Sequence, residues 1–195
     1  MVSEVDICNR SLIKVDGNLI TSLSQETEEA VLCNVLYPQI RDEVLRAHFW
    51  NFAIKQATLN QTVATPTFEF NYKYALPSDY IRIYSLKEVG QRYKIKGGEL
   101  HTNLSGVDIE YVARETDTTR YDAMFVTALS LRLASELAYP VAGSSERQQL
   151  LLAEYNQFIK EAKRRDGQEG TPDSLTADLF VDSRHGYGSA DWTAI

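Results

Sequence analysis

The apolar residues of this chain change their period twice, and no other feature constrains its fold as much. Up to about Trp50 they recur at every third or fourth position, from Phe52 they alternate, and from about Tyr121 the helical spacing returns. The pattern predicts an α+β, mainly helical chain. A helical bundle body, residues 1–51 and 120–165, is expected to carry a small antiparallel β region, residues 52–119, inserted between its helices. An extended C-terminal tail, residues 166–195, follows. With 195 residues, 44% of them apolar, the chain is long enough to bury a core of its own.

In the first helix, expected over residues 4–15, Val5, Cys8, Leu12 and Val15 share one face, and Ser3 with Asp6 offers an N-terminal cap. Cys8 therefore reads as a small core residue. A second helix is expected to open at Ser22 or Ser24, with Glu26, Glu28 and Glu29 where the positive helix end favours anions. Val31, Leu32, Val35, Leu36, Ile40, Val44 and Leu45 form its apolar stripe, and Cys33 lies beside that stripe. Pro38 lacks a backbone donor and predicts a kink or short break, with a second segment from Gln39 to about Phe49. Cys33 stands 25 residues from Cys8, which is not metal-ligand spacing, and two cysteines make no disulfide framework.

The third helix, expected over residues 121–139 and closed by Pro140 and Gly143, is apolar round most of its circumference and must be covered on nearly all sides. Ser145 with Gln148 resembles a capping box for a last helix over residues 146–165, whose core face is Leu151, Tyr155, Phe158, Ile159 and Ala162. Between the helical parts, Tyr72, Tyr74, Ile81, Ile83, Tyr93, Ile95, Ile109 and Tyr111 mark short strands. Gly97-Gly98 suits a two-residue hairpin, because glycine accepts the positive φ of a tight primed turn. The other links are too short for parallel crossovers, so antiparallel pairing is expected.

Charge and motif content narrow the function. Twenty Lys and Arg against 27 Asp and Glu give a formal charge of -7, which disfavours a dedicated nucleic-acid wrapper. The apolar window Ala123–Ala142 contains Arg132 and Glu136, each costing about 2.5 to 3.5 kcal/mol at a bilayer centre, so a buried helix is expected rather than a membrane contact. Met1-Val2-Ser3-Glu4 has no basic leader, so no secretory signal is expected. His48, His101 and His185 fall in separate segments, and the sequence has no phosphate-binding glycine loop and no nucleophile elbow. Glu28 with Glu29, and Asp42 with Glu43, read as solvated helix faces. The expectation is a chain with no catalytic, cofactor-binding or metal-binding residues, and not an enzyme.

Two basic groups stand out. Arg92, Lys94 and Lys96 alternate onto one strand face, where edge cations discourage aggregation; Lys160, Lys163, Arg164 and Arg165 close the last helix, where cations suit the negative end. The tail carries a net charge of -5, leaving -2 on the body, yet it holds Leu175, Leu179, Phe180, Val181, Tyr187 and Trp192. Spaced apolar anchors on a segment that lacks its own core suit ordering on a partner.

The most specific stretch is Tyr37-Pro38 followed by Ile40-Arg41-Asp42, Leu45-Arg46, His48 and Trp50-Asn51-Phe52-Ala53. With Tyr74-Ala75-Leu76-Pro77-Ser78-Asp79-Tyr80-Ile81-Arg82 and the late run Leu133-Ala134-Ser135-Glu136-Leu137-Ala138, it resembles the head-to-tail adaptor (connector) family of tailed bacteriophages, the tail tubular protein A or tail accessory factor type. The resemblance spans residues 5–165 in the same order, and Phe49 stands where relatives have Pro before the Trp. It implies a structural virion protein in the tail or neck region, assembled in the host cytoplasm. There it forms a ring with sister copies, typically twelve, beneath the portal protein. The ring continues the channel for passing double-stranded DNA, without sequence-specific binding, and offers a platform to a downstream tail or nozzle protein. The resemblance also implies that Leu175, Leu179, Phe180, Val181, Tyr187 and Trp192 reach the portal. Tyr37, Pro38, Arg41, Asp42, Trp50, Phe52, Leu76, Pro77 and Asp79 are its family-motif core. A virion-associated enzyme degrading cell wall or polysaccharide is the alternative that the family suggests.

Overall fold

The computed structural model describes residues 2–64, 66–88 and 90–169. Two helices, α1 (Glu4–Ile13) and α2 (Glu28–Ala47), precede six strands: β1 (Ile54–Thr58), β2 (Tyr72–Ala75), β3 (Tyr80–Leu86), β4 (Tyr93–Lys96), β5 (Glu99–Thr102) and β6 (Asp108–Ala113). Helices α3 (Ala123–Ala142) and α4 (Ser145–Glu169) follow. The chain is mixed α+β and divides into two compact units, residues 1–160 and 161–195, with the boundary inside α4.

Helix α1 starts as its sequence predicts. Ser3 Oγ accepts from Asp6 N at 3.1 Å and the Asp6 carboxylate accepts from Ser3 N at 2.9 Å, a reciprocal cap that satisfies two otherwise orphaned donors. The helix stops at Ile13, and Gly17 N then turns back onto Leu12 O. Gly17 has no room for a side chain: a Cβ there would lie 3.0 Å from both Leu12 and Val141, so the turn packs against the end of α3 through a bare backbone. Ile7, Cys8, Ser11 and Leu12 are buried, and the Ser11 hydroxyl reaches Ser130 O in α3 at 3.0 Å.

The start of α2 differs from expectation. Ser22 and Ser24 do not cap it; Ser22 Oγ accepts from Ser24 N at 3.1 Å and Gln25 Oε1 from Thr21 N at 3.2 Å. These local bonds hold a turn in place of a helix, which begins after Thr27. Pro38 does not break α2, which is continuous from Glu28 to Ala47. The donor missing at Pro38 lies on the exposed side, while Cys33 and Tyr37 before it and Ile40, Arg41, Val44 and Leu45 after it are buried on the other. Packing on both sides of the proline outweighs one lost backbone bond. The buried stripe of the first half runs through Ala30, Cys33 and Tyr37, so Val31 and Val35 face outward at 53% and 55% exposure. Cys33 thus belongs to the stripe that it was expected to border.

Helix α3 is covered nearly all round, with Phe125, Leu129, Leu133 and Leu137 buried together with Ala128, Leu131, Ala134 and Ala138. Pro140 does not end it either; the helix continues to Ala142, where Gly143 takes φ 64 and donates to Tyr139 O. Ser144, not Ser145, caps α4, its hydroxyl accepting from Arg147 N at 3.1 Å. Leu151, Tyr155 and Ile159 are buried along α4, as is Ala162 in the second unit.

The strands form two antiparallel three-stranded sheets, in the orders β1-β6-β3 and β2-β5-β4. The hairpin of β4 and β5 turns at Gly97 and Gly98, with φ of 60° and 80°. Ile83, Ile109, Tyr111 and Ala113 of the first sheet share one apolar cluster with Tyr74 and Leu100 of the second, so the two sheets are joined by a common core. Helix α2 lies beside β3 and β6.

Candidate functional site

Several of the residues singled out in the sequence gather where α2 lies beside the first sheet, with Phe125 of α3 packed against them. Trp50, just past α2, is 5% exposed and donates Nε1–H to Val44 O at 2.9 Å, which folds the chain back over the helix end. Its ring meets Phe125 of α3 edge-on with centroids 5.3 Å apart, and His48 at 4.8 Å. Phe52 extends this aromatic layer to Phe125 at 5.1 Å and Tyr121 at 5.6 Å. Phe49, at the position of the expected proline, stacks under the Arg82 guanidinium 4.1 Å from its ring centre and touches Tyr84 edge-on at 5.0 Å.

Charge completes the joint. Arg41, buried on α2, directs Nε and Nη2 to Asp42 Oδ1 at 3.0 and 2.9 Å, and Arg114 beyond β6 donates Nε to Asp42 Oδ2 at 2.7 Å. One carboxylate thereby bridges two guanidiniums from separate elements. Arg46 of α2 reaches Ile81 O in β3 at 2.8 Å. Asp79 accepts from Lys55 Nζ and the Tyr111 hydroxyl, each at 3.0 Å, while its carbonyl accepts from Arg114 N at 2.6 Å. Desolvation opposes ionisation of Asp79, but the bonds from Lys55 and Tyr111 overcome it and hold the carboxyl below the usual aspartate range. Burial, with the bond to Asp79, in turn pushes Tyr111 up to about 12. Leu76 packs against the intersheet cluster, and Pro77 O accepts from Tyr80 N at 3.0 Å.

Glu115 follows the same logic. Burial raises its cost of ionisation, but Thr116 N and Asp117 N donate to Oε1 at 3.1 Å and Arg120 Nη1 to Oε2 at 2.9 Å, and its carboxyl titrates low. Both shifted carboxyls of the joint thus favour the ionised form, the reverse of what a general acid requires. Tyr37 and Pro38 lie on α2, with Tyr37 buried, its hydroxyl pushed far up by desolvation.

Outside the joint, the three cations predicted to share a strand face do so. Arg92, Lys94 and Lys96 all reach Glu69, at 3.3, 2.7 and 3.4 Å. Glu69 sits at φ 71, a left-handed backbone uncommon for a side-chain-bearing residue. No local pattern in the sequence pairs it with β4. Lys160, Lys163 and Arg164 are exposed on α4. The tail anchors Leu175, Leu179, Phe180, Val181, Tyr187 and Trp192 lie outside the described residues.

Sequence reasoning missed Arg114, whose role depends on Asp42 in a distant element, and Glu115, whose carboxylate is held by its chain neighbours Thr116, Asp117 and Arg120. Cys8 of α1 and Cys33 of α2 are both buried and free. Arg132, read as an obstacle to membrane insertion, ties α3 to α2 by binding Glu43 at 2.8 Å while also pairing with Glu136. Among the described residues, no three His, Cys, Asp or Glu side chains gather to hold a metal ion, and no helix is long and apolar enough to cross a membrane. No family model matches the chain, and none of the curated proteins compared with it matches.

Proposed function

We propose that this chain is a structural adaptor of a tailed-phage virion. Sister copies form a ring beneath the portal, the ring continues the DNA channel, and it carries the next tail component. In this reading the helices are the bundle that builds the ring, the β sheets face the downstream tail protein, and the tail anchors grip the portal.

The observation that supports this most is the convergence of the family-motif residues. Trp50, Phe52, Arg41 and Asp42, together with Asp79 from a separate stretch of the sequence, serve the helix–sheet joint, while Leu76 packs between the two sheets. A mechanical coupling needs such a rigid joint, because load on one end is transmitted by packed side chains and ion pairs. The outward valines of α2, together with exposed Tyr139 on α3 and Leu150 on α4, leave apolar surface for neighbouring copies to cover.

The test is direct imaging of the purified full-length protein with and without portal protein. Closed rings seated on the portal are expected, and deleting residues 167–195 should leave a folded body that no longer attaches. Undiminished attachment of the truncated chain would remove the assigned role of the tail. A monomer indifferent to portal would remove the adaptor reading altogether.

A further inference from the structure

Strand β4 is the open edge of the second sheet: β5 lies on one side of it, and among the described residues no strand lies on the other. The register of the hairpin fixes which backbone groups that edge offers. Gly97 and Gly98 make a two-residue turn, so Lys96 and Glu99 are the pair that closes it and exchange backbone bonds. Pairs alternate from there, so Lys94 also turns its N–H and C=O toward β5, while Tyr93 and Ile95 turn theirs outward. The two faces of the edge differ as well. Ile95 stands opposite Leu100 and Tyr93 opposite Thr102, both fully buried, yet Tyr93 and Ile95 are 40% and 41% exposed, because the covered layer ends at β4. On the other face Arg92, Lys94 and Lys96 share the single carboxylate of Glu69, whereas Lys73 of β2 is matched by Glu99 at 2.9 Å. Two positive charges are left over. Phe68, 76% exposed, lies beside Lys96, with its ring centre 5.6 Å from Nζ.

We propose that the β4 edge is a docking site for an extended acidic segment of a partner protein, one that alternates carboxylate and apolar side chains and adds a fourth strand to the β2-β5-β4 sheet. The outward N–H and C=O groups of Tyr93 and Ile95 supply the backbone bonds and fix the register. In that register the incoming carboxylates, two residues and about 7 Å apart along the strand, lie beside Lys94 and Lys96. The apolar residues between them fall on the opposite face and cover Tyr93 and Ile95.

Charge selects this occupant over two others. A second copy meeting the edge with its own β4 sets Lys94 and Lys96 against like charges, which opposes pairing. A nucleic-acid strand uses the cations but leaves the outward backbone groups of Tyr93 and Ile95 without partners, and it approaches a chain of net charge -7. An acidic strand satisfies the backbone edge and the surplus charge together. The same cations therefore keep copies of the edge apart and favour a partner of opposite sign. This site does not rest on the adaptor reading, since peptide binding and ring formation are separate measurements and either can fail without the other.

The experiment adds a labelled peptide, Asp-Val-Glu-Val-Glu-Val-Asp, to the full-length protein and follows fluorescence anisotropy and amide hydrogen exchange. Saturable binding is expected, with exchange slowed at Tyr93 and Ile95 and unchanged at Lys94 and Lys96, whose amides already bond to β5. Three control peptides should each bind at least roughly tenfold more weakly: one with its valines in a single block, one with lysines in place of the carboxylates, and one N-methylated along its backbone. Ile95→Pro removes an outward N–H and no bond to β5, and should abolish binding. Lys94→Glu combined with Lys96→Glu should reverse the preference toward the lysine peptide. Because the N-methylated peptide tests the backbone edge on the wild-type protein, poor folding of either variant leaves the test intact. The proposal is overturned if no peptide binds, if the controls bind as well as the acidic peptide, or if a single-stranded oligonucleotide protects Tyr93 and Ile95 in its place. It is equally overturned if exchange at those two amides is slow before peptide is added and quickens on dilution, which would assign the edge to a second copy.

Discussion

Replacing Trp50 by alanine removes the largest ring at the helix–sheet joint, and its cost can be worked from the contacts. The side chain is 5% exposed, meets Phe125 at 5.3 Å and His48 at 4.8 Å, and donates a hydrogen bond to Val44 O. Truncating a buried Trp to Ala costs about 3–5 kcal/mol through lost transfer energy and the cavity left behind. The lost indole bond adds about 1 kcal/mol. Against a total stability of about 5–15 kcal/mol, a loss of about 5 kcal/mol is severe, and in a chain of this size it corresponds to a drop in Tm of roughly 10–20 °C. Urea unfolding followed by far-UV circular dichroism measures it. Trp50→Phe keeps the ring layer but not the donor, so about 1–2 kcal/mol is expected. A double-mutant cycle with Phe125→Leu should return about 0.5–1.5 kcal/mol of coupling. If Trp50→Ala unfolds within about 1 kcal/mol of the parent, the ring contributes no core packing, and the account of the joint fails.

Other consequences of the joint and the caps can be checked separately. Asp79→Ala should cost about 1–2 kcal/mol in chemical denaturation by leaving the Tyr111 hydroxyl without its acceptor. Because the folded Asp79 carboxyl titrates below its ordinary 3.8, its contribution is present above that value and lost as pH falls through the lower folded one. The acid limb of the stability–pH curve should therefore flatten in the variant; an unchanged limb would contradict the pairing. On the alkaline side, Tyr111 and Tyr155 are each pushed to about 12 from 10.0, so stability should be full below pH 10 and fall as pH rises toward 12. Spectroscopic tyrosine titration run beside unfolding midpoints would show this, and midpoints that hold steady through that range would refute it. Gly143→Ala places a Cβ at φ 64 and should lower stability by about 1–2 kcal/mol although the space around it is open, whereas a neutral result would mean that the helix end relaxes.

Features set by neighbours along the chain are legible in the sequence itself. The Ser3–Asp6 cap, the Gly97–Gly98 hairpin, the common face of Arg92, Lys94 and Lys96, and the all-round burial of α3 depend on spacing, on backbone donors within three residues, or on glycine's freedom at positive φ. Where local rules were overruled, the cause was packing. Pro38 sits inside α2 because buried residues on either side of it hold the helix together, Pro140 falls in the last turn of α3 beyond buried Leu137 and Ala138, and α2 turns Val31 and Val35 outward because Cys33 and Tyr37 fill the available space. Partner choice across distance was beyond the pattern. Glu69 with β4, Asp79 with Lys55 and Tyr111, and Asp42 with Arg114 each join segments more than twenty residues apart. Periodicity records which side of an element is apolar. Which side chains meet is settled only when two sheets and four helices compete for the same interior volume, since dense packing leaves few alternative arrangements.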